Sequence, residues 1–335
     1  MVEQVTRPHA RNLVRFARAH PEVLVLSADL TASCEADDFR TAFPDRFLSM
    51  EMAEQNMMSF AGGLAREGFR PHVHTFAVFI CRRPYDQIAM SIAYPNLPVR
   101  LIGFLPGITT PGGVTHQAND DLALMRVLPN MTILECGDAT EVESVLDAAH
   151  AIAGPVYVRN LRGQVPRLFP AHDPMVLGHC RELSPGRELL LITAGITTEE
   201  GLRAGAALRE KGVELGHLHI STIKPFTDPQ VAAALCTTKR GVIVLENHSV
   251  IGGLGSAVAE TMAELGCGVP LVRLGLQDTF AHGASKEYLM RKYGLDALAV
   301  VGAAERLLRK EFGIDESVLA AVPVTAVTGA KAEDL

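Results

Sequence analysis

Short apolar runs alternate with amphipathic segments along almost the whole chain. Residues 23–27, 72–76 and 99–104 are apolar runs of strand length, whereas residues 55–66 repeat their apolar positions at helical spacing and precede Gly68. The other strands predicted in the first half are 46–52, 132–135 and 156–158, and its other predicted helices are 39–43, 85–94, 120–127 and 140–151. Alternation of this kind is typical of α/β layers around mostly parallel sheets.

Residues 168–187 interrupt this alternation, because three prolines and two glycines fall within twenty residues. A second α/β series follows. Its predicted strands are 188–193, 214–219, 241–245 and 271–274, and its predicted helices are 199–211, 229–235, 256–265, 286–292 and 303–311. The sequence therefore predicts an α/β protein of two doubly wound domains, 1–170 and 188–320, with a linker at 171–187 and a frayed tail at 321–335.

Composition and charge exclude several classes of function. The chain has 335 residues, of which 48% are hydrophobic, and a net charge of −7, so a nucleic-acid role has no electrostatic support. No stretch approaches the roughly 20 apolar residues of a membrane span. The six cysteines are scattered without CxxC spacing, which indicates reduced thiols and no zinc motif. We therefore expect a cytoplasmic protein that binds neither nucleic acid nor a membrane.

Two motifs place polar or aromatic side chains at the ends of predicted strands. In Ala-Glu-Gln-Asn-Met, residues 53–57, Glu54 lies between a strand and a helix, where a partly buried carboxyl group can hold or share a proton. Phe76 and Phe79 lie at the end of another strand, where parallel sheets usually meet their ligands. Taken alone, Glu54 is equally an ordinary glutamate in the first turn of a helix, and the phenylalanines are ordinary core residues.

Two further motifs complete the set. One is Ser-Ala-Asp-Leu-Thr-Ala-Ser at residues 27–33, and the other is Gly-Val-Thr-His-Gln at residues 113–117. His116 in the second motif can hydrogen-bond a hydroxyl group or move a proton. Together the four motifs resemble the transketolase superfamily, and the resemblance runs from about residue 5 to about residue 312. It implies a pyrimidine-binding domain followed by a transketolase C-terminal domain.

The resemblance assigns most of these residues to a thiamine diphosphate site. Glu54 matches the glutamate that bonds the aminopyrimidine ring, Phe79 matches the phenylalanine that stacks on this ring, and Phe76 lies beside it. Asp29 matches a residue near the diphosphate side of the cofactor, across a subunit boundary. His116 matches the histidine near the reacting carbon of the sugar donor. The implied reaction transfers a two-carbon ketol unit from a ketose to an aldehyde acceptor.

The same resemblance assigns Ser33, Arg162 and Arg7 to the phosphate group of a sugar substrate. Guanidinium groups suit phosphate or sulfonate, because they offer paired donors with a fixed charge. Arg159 is a second candidate at the same strand end, but the spacing to Pro166 favours Arg162. A surface arginine is as often merely solvated, and the match at Arg7 is gapped.

Two positions depart from the family pattern near the substrate. Gly112 stands where transketolases usually carry an acidic residue, and Phe104 stands in place of a histidine on the phosphate side. A carboxylate for sugar hydroxyls is therefore missing. We expect a ketose that is less polar or differently charged than the common sugar phosphates.

The chain also lacks the metal motif of thiamine enzymes, since it contains no Gly-Asp-Gly and no Asn-Asn. In that family the aspartate and asparagine oxygens of these motifs bind the Mg²⁺ that holds the diphosphate. The sequence thus predicts no metal ligand on this chain and the smaller half of a split transketolase. An N-terminal subunit would supply the diphosphate domain and the Mg²⁺ ligands, in an α2β2 heterotetramer with a β–β contact, and the isolated chain would be inactive.

Three alternatives stay open. The β subunit of a 2-oxoacid dehydrogenase E1 also lacks the metal motif, although Thr115-His-Gln117 and Thr222-Ile-Lys-Pro225 favour transketolase. A deoxyxylulose-phosphate-synthase-like enzyme shares Ala-Glu-Gln but normally carries all domains on one chain. A non-catalytic scaffolding homologue is a third alternative, and the presence of Glu54, Phe79 and His116 counts against it.

Overall fold

Residues 2–324, which the computed structural model describes, form sheets of seven, five and two strands. The strands are β1 (Gln4–Thr6), β2 (Val23–Ser27), β3 (Phe47–Ser49), β4 (Arg70–Phe76), β5 (Arg100–Phe104), β6 (Thr132–Glu135), β7 (Val156–Asn160), β8 (Gln164–Pro166), β9 (Arg181–Ser184), β10 (Leu189–Thr193), β11 (Leu215–His219), β12 (Thr222–Lys224), β13 (Gly241–Ser249) and β14 (Leu271–Leu276).

Helices cover these sheets. They are α1 (Pro8–Ala19), α2 (Asp37–Ala42), α3 (Glu54–Arg66), α4 (Ala77–Cys81), α5 (Tyr85–Gln87), α6 (Asp121–Val127), α7 (Ala139–His150), α8 (Thr197–Glu210), α9 (Pro229–Thr237), α10 (Leu254–Leu265), α11 (Lys286–Lys292), α12 (Ala297–Leu308) and α13 (Glu316–Ala321). A π-helix follows α5 at Ile88–Ala93, and 3-10 turns occur at Pro44–Arg46 and Val114–His116.

The large sheet has the strand order β12-β6-β7-β5-β4-β2-β3, and all its pairs are parallel except β12 with β6. The second sheet has the order β14-β13-β10-β11-β9, and only β9 is antiparallel to its neighbour. Strands β1 and β8 form the two-stranded sheet. Both larger sheets are therefore doubly wound, and the predicted α/β class with mostly parallel sheets is confirmed.

The two halves of the chain share a core. One contiguous apolar cluster contains residues of both sheets, among them Leu101, Ile133, Ile192 and Val244. Strand β12 comes from the second half of the chain, yet it extends the sheet of the first half. The C-terminal half is consequently fixed against the large sheet rather than tethered to it. No helix within residues 2–324 is long and apolar enough to cross a membrane.

Several elements differ from the prediction. Helices α1 and α13 and strand β12 were not predicted, and of residues 46–52, predicted as one strand, only Phe47–Ser49 form a strand, which follows a 3-10 turn at Pro44–Arg46. Residues 85–94 form the short α5 and the π-helix instead of a regular helix. The segment 171–187, predicted as a linker, contains β9. The domain limits themselves stay predictions, and residues 325–335 of the predicted tail lie outside the described part of the chain.

Candidate functional site

Glu54 opens helix α3, just beyond the carboxyl end of β3, and its side chain is only 5% exposed. An acidic residue in the first turn is favoured by the helix dipole. Its partner is Arg83, whose Nη1 donates to Glu54 Oε1 at 2.5 Å. Arg83 itself is half exposed. The neighbouring Arg82 pairs instead with Asp120. The carboxylate of Glu54 is therefore buried, and the half-exposed guanidinium of Arg83 covers it from the solvent side.

Aromatic side chains form the wall beside Glu54. The guanidinium carbon of Arg83 lies 4.0 Å above the ring centre of Phe79. Phe79 is stacked against Phe76 at 5.9 Å between ring centres, and His116 contacts Phe79 edge-on at 5.3 Å. Four residues predicted for the site, Glu54, Phe76, Phe79 and His116, therefore converge with Arg83 at the carboxyl edge of the large sheet. We call this group the Glu54 cluster.

The C-terminal half holds the loop that carries His116. Asn247 of β13 accepts from the amide of Ile108 at 3.0 Å and donates to the carbonyl of Pro106 at 3.0 Å. Gly107 has a positive φ of 60°, and a Cβ there would lie 2.1 Å from the Asn247 side chain. Only glycine allows this approach. The position of His116 therefore depends on contacts between the two halves.

Gly112, which stands where an acidic residue is usual, lies beside His116. A Cβ at Gly112 would lie 3.0 Å from the imidazole of His116. A side chain at 112 would therefore require the half-buried imidazole to move by a few tenths of an ångström.

Arg7, Ser33 and Arg162 lie around a second carboxylate, Glu35. The amide of Gly163 donates to Glu35 Oε1 at 2.6 Å, and the amide of Arg7 donates to the carbonyl of Gly163 at 2.8 Å. Burial raises the pKa of Glu35, while its amide partners and the two arginines act in the opposite direction. Ser33 is half-buried in the turn that leads to Glu35. The structure thus gathers the three predicted anion-binding residues.

These residues differ in how free they are. The guanidinium of Arg7 is ion-paired with Asp37. Arg162 is exposed and has no ion pair among residues 2–324. Asp29 follows β2 in a left-handed conformation with a φ of 55° and is exposed. Arg162 is therefore the predicted anion-binding residue that is most available to a ligand.

Two residues that the sequence associated with the substrate are buried in the core, and for Arg159 this agrees with the preference for Arg162. Arg159 is completely buried and donates to Asp121, to Glu135 and to a main-chain carbonyl, so it cannot reach a substrate. Phe104 is also completely buried, with the ring centre of His9 at 5.1 Å, so it forms no wall of a substrate site. Leu105, the next residue along the chain, instead lines a cleft beside Arg162.

A cleft of about 220 Å³ lies between the two halves at Arg162. Its polar lining residues are Thr109, Asn160, Arg162, Gln164 and Lys286, and no carboxylate belongs to the lining. Two cations at a cleft with no carboxylate in its lining favour an anionic group, although Lys286 Nζ also lies 3.7 Å from a carboxylate oxygen of Glu287. Sequence reasoning omitted Lys286, and it also omitted Arg83. The adjacent pair Arg82-Arg83, three and four residues after Phe79, was the available signal for the latter.

The fold and the site are those of a two-domain α/β enzyme subunit with its site at the carboxyl edge of a parallel sheet. Two family models match the chain: the transketolase pyrimidine-binding domain at residues 8–167 and the transketolase C-terminal domain at residues 178–300. The chain belongs to the transketolase family and is a transferase subunit of that type. Thiamine diphosphate is the cofactor that this family implies.

Two relatives and one solved structure match this chain over nearly their whole length. A transketolase family protein of Sinorhizobium fredii, y4mN, is 41% identical over 91% of this chain and 90% of its own length. The 6-deoxy-6-sulfo-D-fructose transketolase subunit SqwH of a Clostridium species is 37% identical over 90% and 93%. A solved split-gene transketolase, described as an inactive β4 tetramer, has a TM-score of 0.81 and 37% identity, over 91% of this chain and 98% of that chain.

Proposed function

We propose that this chain is the pyrimidine-binding and C-terminal half of a two-chain, thiamine-diphosphate-dependent transketolase. A partner subunit would carry the diphosphate-binding domain and the Mg²⁺ ligands. The support is that relatives described as a transketolase subunit and a split-gene transketolase match this chain over nearly their whole length. The predicted cytoplasmic location stays part of this proposal.

The arrangement of Arg83 carries the proposal. Its planar guanidinium lies on the Phe79 ring and donates to the Glu54 carboxylate. An aminopyrimidine ring is also planar and also offers N–H donors at its edge. The two protein groups that hold the guanidinium are therefore suited to hold the ring. We infer that Arg83 occupies the ring position in the unliganded chain and moves away when the cofactor binds.

The residues have distinct roles in this proposal. Thiamine diphosphate, when bound, supplies the carbon centre that receives and passes on the two-carbon unit. Glu54 bonds the pyrimidine ring and holds or shares a proton with it, and Phe79 stacks on its face with Phe76 behind. His116 binds a substrate hydroxyl group or moves its proton. Asp29 would lie at the diphosphate side, at the subunit boundary.

The anionic end of the substrate would lie in the cleft at Arg162. Arg162 and Lys286 supply two positive charges, and no carboxylate lines this cleft. Ser33 and Arg7 lie around Glu35 nearby, although Arg7 is already paired with Asp37. A ketose with a terminal phosphate or sulfonate fits these charges. The sulfonated sugar in the name of one relative is consistent with this substrate class.

The proposed assembly is α2β2 with a contact between two copies of this chain. An apolar side chain beside the Glu54 cluster is exposed, since Met52, two residues before Glu54, is 74% exposed. Phe60 of α3 and Met90 of the adjoining π-helix are 44% and 58% exposed. Exposed apolar surface of this kind marks an interaction site. It supports a subunit contact beside the cofactor.

Replacing Glu54 with Gln tests the proposal in the reconstituted two-chain enzyme. We expect ketol transfer to fall by about 100-fold or more, because proton handling by a positioned side chain contributes on that order. Glu67→Gln, at the exposed end of the same helix, is the matched control and should keep full activity. Unchanged turnover of the Glu54 variant would reject the catalytic assignment and favour the scaffolding alternative.

The remaining alternatives differ in their reaction. A screen of phosphorylated, sulfonated and unmodified ketoses would measure ketol transfer, and a parallel assay would measure decarboxylation of a 2-oxoacid. Transfer without decarboxylation supports transketolase. Decarboxylation with a lipoyl acceptor would assign the chain to an E1 β subunit, and condensation of pyruvate with an aldehyde would indicate the deoxyxylulose-phosphate-synthase type.

A further inference from the structure

Three potential metal ligands meet at the amino edge of the large sheet, opposite the edge that carries the Glu54 cluster. His20 ends α1, Glu22 directly precedes β2, and His150 is the last residue of α7. One ligand atom from each lies within 4.8 Å of the others, and this is the one group of its kind within residues 2–324. The sequence did not reveal it, because His150 is distant from the other two along the chain.

The spacing of these atoms suits a metal ion. His20 Nδ1 and His150 Nε2 lie 3.4 and 3.5 Å from the same Glu22 oxygen. Zinc bonds of about 2.0–2.1 Å in tetrahedral geometry separate neighbouring ligand atoms by roughly 3.4 Å. Two histidines and one carboxylate, with a fourth position left to water, form a common zinc ligand set. We propose that His20, Glu22 and His150 bind one divalent transition metal ion of the zinc class.

The surroundings orient the two imidazoles and leave one side of the group open. Phe16 of α1 packs against both rings, with its ring centre 4.3 Å from that of His20 and 5.4 Å from that of His150. The side chains of the three ligands remain 27%, 33% and 23% exposed for His20, Glu22 and His150. A metal ion and a coordinated water can therefore reach the group from solvent.

Three arginines are the cations around this group. Arg46 donates to the carbonyls of Ala17 and His20, and Arg100 and Arg70 donate to carbonyls at and just beyond the end of α7. Their guanidinium groups are thus bound to the main chain rather than to Glu22. They weaken the attraction for a cation. Burial, the neighbouring His20 and the guanidinium groups of Arg70 and Arg100 lower the pKa of His150.

A bound ion would join the C-terminal ends of α1 and α7 to the start of β2. Helices α1 and α7 lie on the same face of the sheet and pack together. A ligand that binds only the folded state stabilises it by mass action. The proposed metal site would therefore stabilise the first domain. It lies at the sheet edge opposite the Glu54 cluster and takes no part in the proposed reaction.

Cobalt titration of the full chain tests this site. Cys236 and Cys267 lie 3.8 Å apart through their sulfur atoms and compete for soft metals, so both are replaced by serine. We expect one Co²⁺ per chain, a spectrum with nitrogen and oxygen ligands and no thiolate charge-transfer band, displacement by Zn²⁺, and a higher Tm. His150→Ala and the nearly isosteric Glu22→Gln should each weaken binding by about tenfold or more. His172→Ala, at an exposed histidine outside the group, is the control.

Two results would overturn the site. One is the absence of stoichiometric Co²⁺ or Zn²⁺ binding in the chain without Cys236 and Cys267. The other is unchanged affinity in both the His150→Ala and the Glu22→Gln chains, with circular dichroism confirming that they are folded. Because neither readout involves ketol transfer, failure here leaves the proposed function unaffected.

Discussion

Two arginines of this protein bind carboxylates at the same edge of the same sheet, and they do so in opposite ways. Arg159 is fully buried, and its donors meet Asp121, Glu135 and a main-chain carbonyl of β13. Arg83 is 47% exposed, makes one bond to Glu54 and covers an aromatic face. A buried charge whose three nitrogens all hydrogen-bond within the core cannot be removed without leaving its partners unpaired. A charge held by one bond at an opening is replaceable by a ligand.

Breaking the buried arrangement should produce the largest effect. Arg159→Met leaves two carboxylates buried without their cation, so we expect a loss of about 3–5 kcal/mol in the free energy of unfolding. Urea unfolding measures it. Arg162→Met, three residues further on and exposed, should change stability by no more than about 0.5 kcal/mol. Equal stabilities of the two variants would contradict the distinction between the regions.

Acidification should also lower the free energy of unfolding, because several histidines are buried in the core. Burial lowers the pKa of His74 to about 4 and that of His217 to about 3, and it also lowers the pKa values of His9 and His72. The unfolded chain takes up these protons below about pH 6.5 while the folded chain does not. Their contribution to stability is therefore complete above that pH and is lost as the pH falls toward 4.

The expected loss for His74 alone is about 3 kcal/mol over this range. Glu246 opposes it in part, because burial raises its pKa to about 7, so its contribution declines as the pH rises. Urea unfolding between about pH 7 and about pH 4 gives the curve. His217→Gln, which removes one titrating ring, should make it shallower. A free energy of unfolding that stays constant over this range would count against buried neutral histidines.

The sequence predicted the regular parts of the fold for a clear physical reason. Strands β2 and β6 and helix α11 have the predicted bounds, since apolar period and turn residues determine them locally. Helix α1 was missed although Pro8 opens it and Leu13 and Phe16 lie on its buried face. Strand β12 has three residues and forms by pairing with the first half of the chain, which no local pattern shows.

The site was predictable only as far as strand ends determine it. Glu54, Phe79 and His116 follow parallel strands or lie in a nearby loop, so their convergence was expected. The sequence did not show that Arg83 pairs with Glu54 while Arg82 pairs with Asp120, because this pairing depends on the turn that leads into α5. The complete burial of Phe104 and Arg159 was not predictable, because alternation along a central strand does not tell which face a neighbouring helix or domain covers.

Removing the exposed guanidinium of Arg83 should have a smaller effect than removing Arg159, and it should strengthen cofactor binding rather than weaken the fold. Arg83→Ala frees Glu54 and Phe79, so we expect thiamine diphosphate to bind the two-chain complex about threefold to tenfold more tightly, even if turnover falls. Fluorescence titration with the cofactor measures this. Arg82→Ala, which breaks the pair with Asp120 instead, should leave the affinity unchanged. Weaker binding in the Arg83 variant would show that this arginine is a ligand rather than an occupant.

Equilibrium dialysis in the presence of Mg²⁺ measures whether both subunits are needed to retain the cofactor. Each chain is measured alone, and the mixture of this chain with its diphosphate-domain partner is measured in parallel. We expect stoichiometric thiamine diphosphate in the mixture and none retained by this chain alone. A mixture that retains no cofactor, or an isolated chain that retains as much as the mixture, would contradict a site completed by two subunits.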